Sequence, residues 1–150
     1  MTPAFPRKRI SVGALVTNPT GELLIVKPGY RDGWLLPGGI VDANESPAEA
    51  LKRELMEELG LALVPKTLLS VDYTCSDDHY AEGINLRFDC GILNDTAGIR
   101  LLDAELVDLR FCTPNDALSQ LSANVVRRLR SLDPPRTVYL ENGVAPSAWL

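Results

Sequence analysis

The sequence predicts an α/β layered domain, and three observations carry the prediction. Strand-like segments alternate along the chain with two helical ones, the order expected when helices cover a sheet. One of those helices, Pro47 to Leu59, carries a start signal and a stop signal. With 150 residues, 45% of them hydrophobic and 23% charged, the chain is long enough for one domain, residues 1–150, with its own core.

Residues 1–8 read as a flexible lead-in with a basic cluster at Arg7, Lys8 and Arg9. Arg9 to Thr17 reads as a strand, Asn18-Pro19-Thr20-Gly21 as a turn, and Glu22 to Lys27 as the returning strand of a hairpin. Pro28 to Gly33 is a loop and Trp34 to Leu36 a short extended piece ended by Pro37. Ser46 is the expected N-cap of the first helix, Pro47 suits its first position, Glu49 completes a capping box, and Gly60 ends it. Leu63 to Cys75 reads as a loop and then a strand, Ser76 to Gly83 as a polar loop, Ile84 to Leu93 as a strand, and Asn94 to Gly98 as a turn. Glu105 to Cys112 is a further strand. Thr113 to Asp116 then caps a helical region, Ala117 to about Leu132, with a break placed at Ser122 to Asn124. Pro134-Pro135 ends it and opens a C-terminal tail, 134–150, with an extended piece at Thr137 to Glu141.

The net charge of −5 argues against a nucleic-acid backbone as partner, since such proteins carry a basic stripe. A polyanionic substrate would need a local exception, and a bound cation can supply one. Runs such as Val12 to Val16 and Leu59 to Val64 fall far short of the roughly 20 residues a membrane-spanning helix needs. A cytoplasmic protein with no membrane association is the expectation. Cys75, Cys90 and Cys112 are odd in number, widely spaced and in strand-like stretches, so buried free thiols are expected.

On a helical wheel Ala48, Leu51, Leu55 and Leu59 share the face that should pack on the sheet. Glu54, Glu57 and Glu58 stand at i, i+3 and i+4 and converge on a second face. Like charges at these spacings repel, and Arg53 can offset only part of that. Hard divalent cations prefer carboxylate oxygens, with magnesium the natural choice and manganese an alternative. A solvated acidic helix face is the bland alternative for the glutamates alone.

The surrounding residues decide between them. Gly39, five residues, Glu45, seven residues, then Arg53-Glu54-Leu55-Met56-Glu57-Glu58-Leu59-Gly60-Leu61 resembles the Nudix box at every defining position, and Leu36-Pro37-Gly38-Gly39 resembles its usual lead-in. The resemblance covers 23 residues, Gly39 to Leu61. It implies an α/β/α sandwich around a mixed central sheet and a metal-dependent pyrophosphohydrolase. It further implies that Glu54, Glu57 and Glu58 hold the divalent ions with the backbone carbonyl of Gly38, that Glu45 supports the loop or helix, and that Arg53 orients a catalytic carboxylate. The proton acceptor is a helix glutamate or one on a later loop, with Glu82 and Glu105 available.

Substrate identity lies outside the box. Tyr30 and Trp34 are candidates to stack on a base, the alternative being that they pack in the core or a loop. Lys27 and Arg31 are candidates to meet phosphates, and His79 and Glu82, in one polar loop, to contact substrate or handle a proton. Arg127, Arg128 and Arg130 read as a solvent-facing helix end, where cations complement the dipole. The tail segment Thr137 to Gly143 is apolar enough to dock on its own domain or on a second subunit, so a homodimer is a further expectation. The expected substrate is a nucleoside diphosphate linked to another moiety or a nucleoside triphosphate. The alternatives are a non-nucleotide diphosphate, or a catalytically silent module that binds a ligand in the same fold.

Overall fold

A computed structural model describes residues 4–147. The ends of the expected lead-in and tail, residues 1–3 and 148–150, lie outside the described residues. The strands are β1 (Arg9–Thr17), β2 (Leu23–Pro28), β3 (Gly38–Ile40), β4 (Thr67–Thr74), β5 (Gly83–Ile92), β6 (Leu106–Cys112) and β7 (Val138–Glu141). The helices are α1 (Pro47–Leu59), α2 (Pro114–Gln120) and α3 (Ala123–Arg130). Among the described residues the strands form one sheet in the order β6-β2-β1-β5-β4-β7, with β3 added to β1. It is mixed, because β1 runs parallel to β5 and β4 to β7 while the other pairs are antiparallel.

Strand alternation sends successive residues to opposite faces. In β1, Val12, Ala14 and Val16 join Leu24 and Val26 of β2 in a core against Leu51, Leu55 and Leu59 of α1. Leu23 and Ile25 of β2 face the other way, into a second core with Trp34, Leu36, Ala117 of α2 and Val125 of α3. The three α1 leucines are fully buried, and each such side chain contributes about 2 kcal/mol relative to exposure. Ala50 rather than Ala48 completes the buried face of α1, since Ala48 sits half-covered near the helix entrance.

The local signals act as the chemistry requires, with one difference. Ser46 Oγ accepts the Glu49 N–H at 3.2 Å, but the Glu49 carboxylate faces Lys52 at 3.6 Å instead of returning to the cap, so the box closes on one side. Gly60 adopts φ 66°, and the N–H groups of Gly60 and Leu61 satisfy the carbonyls of Met56 and Leu55. The last helical region begins at Pro114, earlier than expected, and breaks after Gln120, where Ser122 caps α3 through its side chain. The tail segment docks on its own sheet as β7 beside β4. Cys90 and Cys112 are buried thiols, whereas Cys75 is exposed because β4 ends one residue before it. Among the described residues no helix is long and apolar enough to cross a membrane.

Candidate functional site

Two adjacent glycines set the site. A Cβ on Gly38 would run into the backbone of Val12 and Gly13, because β3 crosses β1 at the Gly13–Gly38 pair. A Cβ on Gly39 would lie within 3.0 Å of the Glu54 carboxyl. Gly39 therefore leaves the space into which a helix carboxylate extends over the end of the sheet.

Arg53 organises the carboxylates around that space. Its Nε and Nη2 donate to the two oxygens of Glu45 at 2.7 and 2.9 Å, a bidentate pair. Nη1 donates to Glu54 Oε1 at 2.9 Å and to Glu57 Oε2 at 3.3 Å, and Nη2 also reaches the carbonyl of Ile40 at 3.2 Å. Glu45 accepts the Asp42 N–H as well, and Arg53 first and that N–H second hold its carboxyl down at about 2. One guanidinium thus ties the loop after β3 to the exposed side of α1.

The three helix glutamates sit at different depths. Glu57 is the outermost, its side chain more than half exposed. Glu54 is half-buried over Gly39, and burial pushes its carboxyl up while Arg53 opposes the rise. Glu58 is 8% exposed, and burial first and the charge of Glu54 second push it up to about 8, against the lowering effect of the Gly38 N–H. Its Oε2 is buried without a hydrogen-bond partner. The sequence places all three on one face, but the structure joins Glu54 and Glu58 beside Gly38 and turns Glu57 toward Arg53. Among the described residues no three carboxylate, imidazole or thiol groups already close on one point. The orphaned Glu58 oxygen, the Glu54 carboxyl in the Gly39 gap and the hard oxygen chemistry of both fit a divalent cation.

Asp103 carries no local signal in the sequence. Backbone bonds from Leu102 N to Glu58 O, 2.9 Å, and from Arg100 N to Leu59 O, 3.1 Å, seat the loop before β6 on the end of α1 and bring Asp103 electrostatically against Glu58. Only long-range packing places it there. Of the two later-loop glutamates, Glu105 is exposed in this same segment. Glu82 accepts from Lys8 Nζ at 2.5 Å and Tyr73 Oη at 2.6 Å, both of which lower its carboxyl.

A cleft of about 420 Å³ opens on the opposite face of the sheet and reaches β3 at Gly38 and Gly39. Its rim includes Tyr30 and Arg31, both exposed. Trp34 does not join them. It is 6% exposed in the second core, with the Arg110 guanidinium 4.2 Å from its ring centroid. Lys27 stands off the cleft with its Nζ on the Arg31 carbonyl at 3.4 Å. His79 and Glu82 are not among the cleft-lining residues, although Asp77, Tyr80 and Ala81 of the same loop are.

The floor of the cleft holds groups that spacing along the chain misses or misplaces. Arg128 is not solvent-facing with Arg127 and Arg130. It is buried, and its Nε donates to Asp72 Oδ2 on β4, while Asp72 Oδ1 accepts the Gly143 N–H at 3.0 Å. Arg87 of β5 is also buried and lies flat on Gly13, where an added methyl would come within 2.9 Å of its Nη1. The alternation of β5 carries a signal for it, since Leu86, Phe88 and Cys90 face one way and Asn85, Arg87 and Asp89 the other.

A family model described as NUDIX domain matches residues 7–132. An RNA pyrophosphohydrolase of Halorhodospira halophila is 49% identical over 53 residues, 35% of this chain and 29% of that protein. The chain spans about a third of the length of the RNA pyrophosphohydrolases it matches. A MutT-like protein of Streptomyces ambofaciens is 28% identical over 130 residues, 85% of this chain and 79% of that protein. The crystal structure of a MutT protein from Methanosarcina mazei superposes with a TM-score of 0.68 at 26% identity, covering 80% of this chain and 89% of that one. The family match spans most of the chain, and its box residues are those that Arg53 and the glycine pair organise: the chain belongs to the Nudix family.

Proposed function

We propose that the protein hydrolyses a phosphoanhydride bond in a nucleoside diphosphate linked to another moiety, or in a nucleoside triphosphate. The observation that carries this reading is the joined pair Glu54 and Glu58 at the Gly38–Gly39 rim, with one buried Glu58 oxygen unpartnered and Arg53 fixing its neighbours. Glu54, Glu57, Glu58 and the Gly38 carbonyl would hold magnesium, or manganese in its place. Such an ion supplies neutralisation of phosphate charge and acidification of the attacking water. Arg53 holds Glu54 in place, and the position of Asp103 against Glu58 favours the loop before β6, which also carries Glu105, over the engaged Glu82 for receiving a proton. A substrate moiety beyond the diphosphate would enter the cleft past Tyr30 and Arg31.

The test is turnover of a panel of nucleoside diphosphate conjugates and nucleoside triphosphates by the purified chain with magnesium, read as release of monophosphate or inorganic phosphate. Activity should vanish in Glu58→Gln and Glu57→Gln and in excess chelator. No turnover of any compound by the folded wild-type protein refutes the proposal.

A further inference from the structure

The cleft floor is electrically opposite to the protein as a whole. The chain carries −5, yet the charged residues lining the cleft are Arg9, Arg31, Arg87, Arg128 and a single carboxylate, Asp77. Arg128 has Asp72 as its counter-ion, and Asp77 accepts the N–H groups of His79 and Tyr80 at 2.7 Å each. Arg87 makes no ion pair among the described residues, and Arg9 is half-buried with the Asp77 carboxylate acting on it through space. Arg87 is 9% exposed, its Nε is buried with no partner, and its one hydrogen bond is a long 3.4 Å from Nη1 to the Leu86 carbonyl. Arg9 Nε is likewise buried and unpartnered, with its guanidinium 5.8 Å from the Tyr80 ring.

An unpaired buried charge is among the most expensive features a fold can hold, and Arg87, with the buried Nε of Arg9 lining the same cleft, calls for a ligand that pairs it. Burial first and the like charge of Arg128 second already press Arg87 down to about 10, so it stays cationic near neutral pH. A neutral ligand edge rich in acceptors would satisfy N–H groups and leave the charge uncompensated. A phosphate monoester or carboxylate does both, and the guanidinium fork matches either. The sheet register sets the reach. Arg87 pairs with Gly13, and Gly13 with Gly38, and the Arg87 guanidinium lies over Gly13, so it stands one strand spacing, ~5 Å along the sheet, from Gly38. That is within reach of a sugar or similar group attached to a diphosphate.

We propose that the cleft is an anion subsite, in which Arg87 and Arg9 bind a phosphate monoester or carboxylate borne by the substrate's second moiety, outside the diphosphate that is cut. This rests on the proposed hydrolysis for its place in the reaction and defines the substrate class as diphosphates with an additional, distal anionic group.

Matched pairs test it. For hydrolysis with magnesium, UDP-glucuronate is compared with UDP-glucose, and NADP⁺ with NAD⁺. For binding without metal, glucuronate is compared with glucose, and adenosine 2′-monophosphate with adenosine, by calorimetry. The anionic member of at least one pair should be favoured about tenfold or more, as expected for a charge-assisted hydrogen-bonded pair. The carboxylate and phosphate arms show which group is taken. The ratio should fall toward one in Arg87→Met and in Arg9→Gln. Unliganded Arg87→Met should melt a few degrees higher than wild type, because a buried cation without a partner is removed, whereas a merely structural arginine would melt lower. Binding selectivity without hydrolysis of any compound would overturn the hydrolase reading and uphold the subsite. Hydrolysis or binding that treats both members of every pair alike, or that follows the base rather than the charge, overturns the subsite.

Discussion

Asp72→Asn removes one charge and almost no volume from the most enclosed ionic contact in the described structure. Asp72 is fully buried, Arg128 is 7% exposed and Arg87 9%. The wild-type aspartate neutralises Arg128 and draws on Arg87 from nearby, so its replacement leaves two buried guanidinium groups without a countercharge instead of one. The asparagine oxygen still accepts the Gly143 N–H, but its amide nitrogen cannot accept from Arg128 Nε. Removing one partner of a buried pair costs about 3–5 kcal/mol, a third or more of the stability of an ordinary domain. At about 2–4 °C per kcal/mol for a chain of this size, the melting temperature should fall by about 10 °C. Thermal and urea unfolding read the change, with the Asp72→Asn, Arg128→Met double variant recovering much of the loss in a cycle. A drop below about 3 °C, or a double variant no better than Asp72→Asn alone, refutes the account of Asp72 as the counter-ion of the cleft floor.

Two further outcomes follow from the box. Gly39→Ala places a methyl against the Glu54 carboxyl and should cut hydrolysis about 10–100-fold, the range seen when groups supporting a metal site are displaced, while the protein still melts cooperatively. Retained turnover would mean that Glu54 does not need its present position. Glu45, held at about 2 against an ordinary value of 4.5, contributes stability that is fully present above pH 4.5 and is lost as pH falls through 2. Across that window the melting temperature of wild type should therefore fall more steeply than that of Glu45→Gln, and parallel curves would refute the Arg53–Glu45 pairing as a stabilising contact.

Features governed by neighbouring residues were legible in the sequence. Ser46, Pro47 and Gly60 bound α1 because caps act over one turn, and β1 keeps its expected limits because its apolar alternation is uninterrupted. Depth was not legible. Periodicity puts Glu54, Glu57 and Glu58 on one side of α1, but Glu58 is buried through the docking of residues 100–103, a contact no spacing encodes. Arg128 looks identical to Arg127 and Arg130 as one of three basic residues near a helix end, and its partner Asp72 is 56 positions away. Trp34 is equally ambiguous until α2 and Arg110 are seen to cover it.

The strand pair β1 and β5 separates the helix that carries the carboxylates from the cleft on the opposite face, with Gly38 and Gly39 where the two meet. Residues at alternate positions of one strand therefore answer to different selective demands. Leu86 and Phe88 are constrained by the helix that carries the carboxylates, and Asn85 by its bonds with Ser11, Thr74 and the Asp72 carbonyl, while Arg87 faces the cleft without an ion pair. A descendant of this chain could change what the cleft accepts by substitution at position 87 while Leu86 and Phe88 keep the carboxylate-bearing helix in place, so that one position of a strand is recoded without its neighbours.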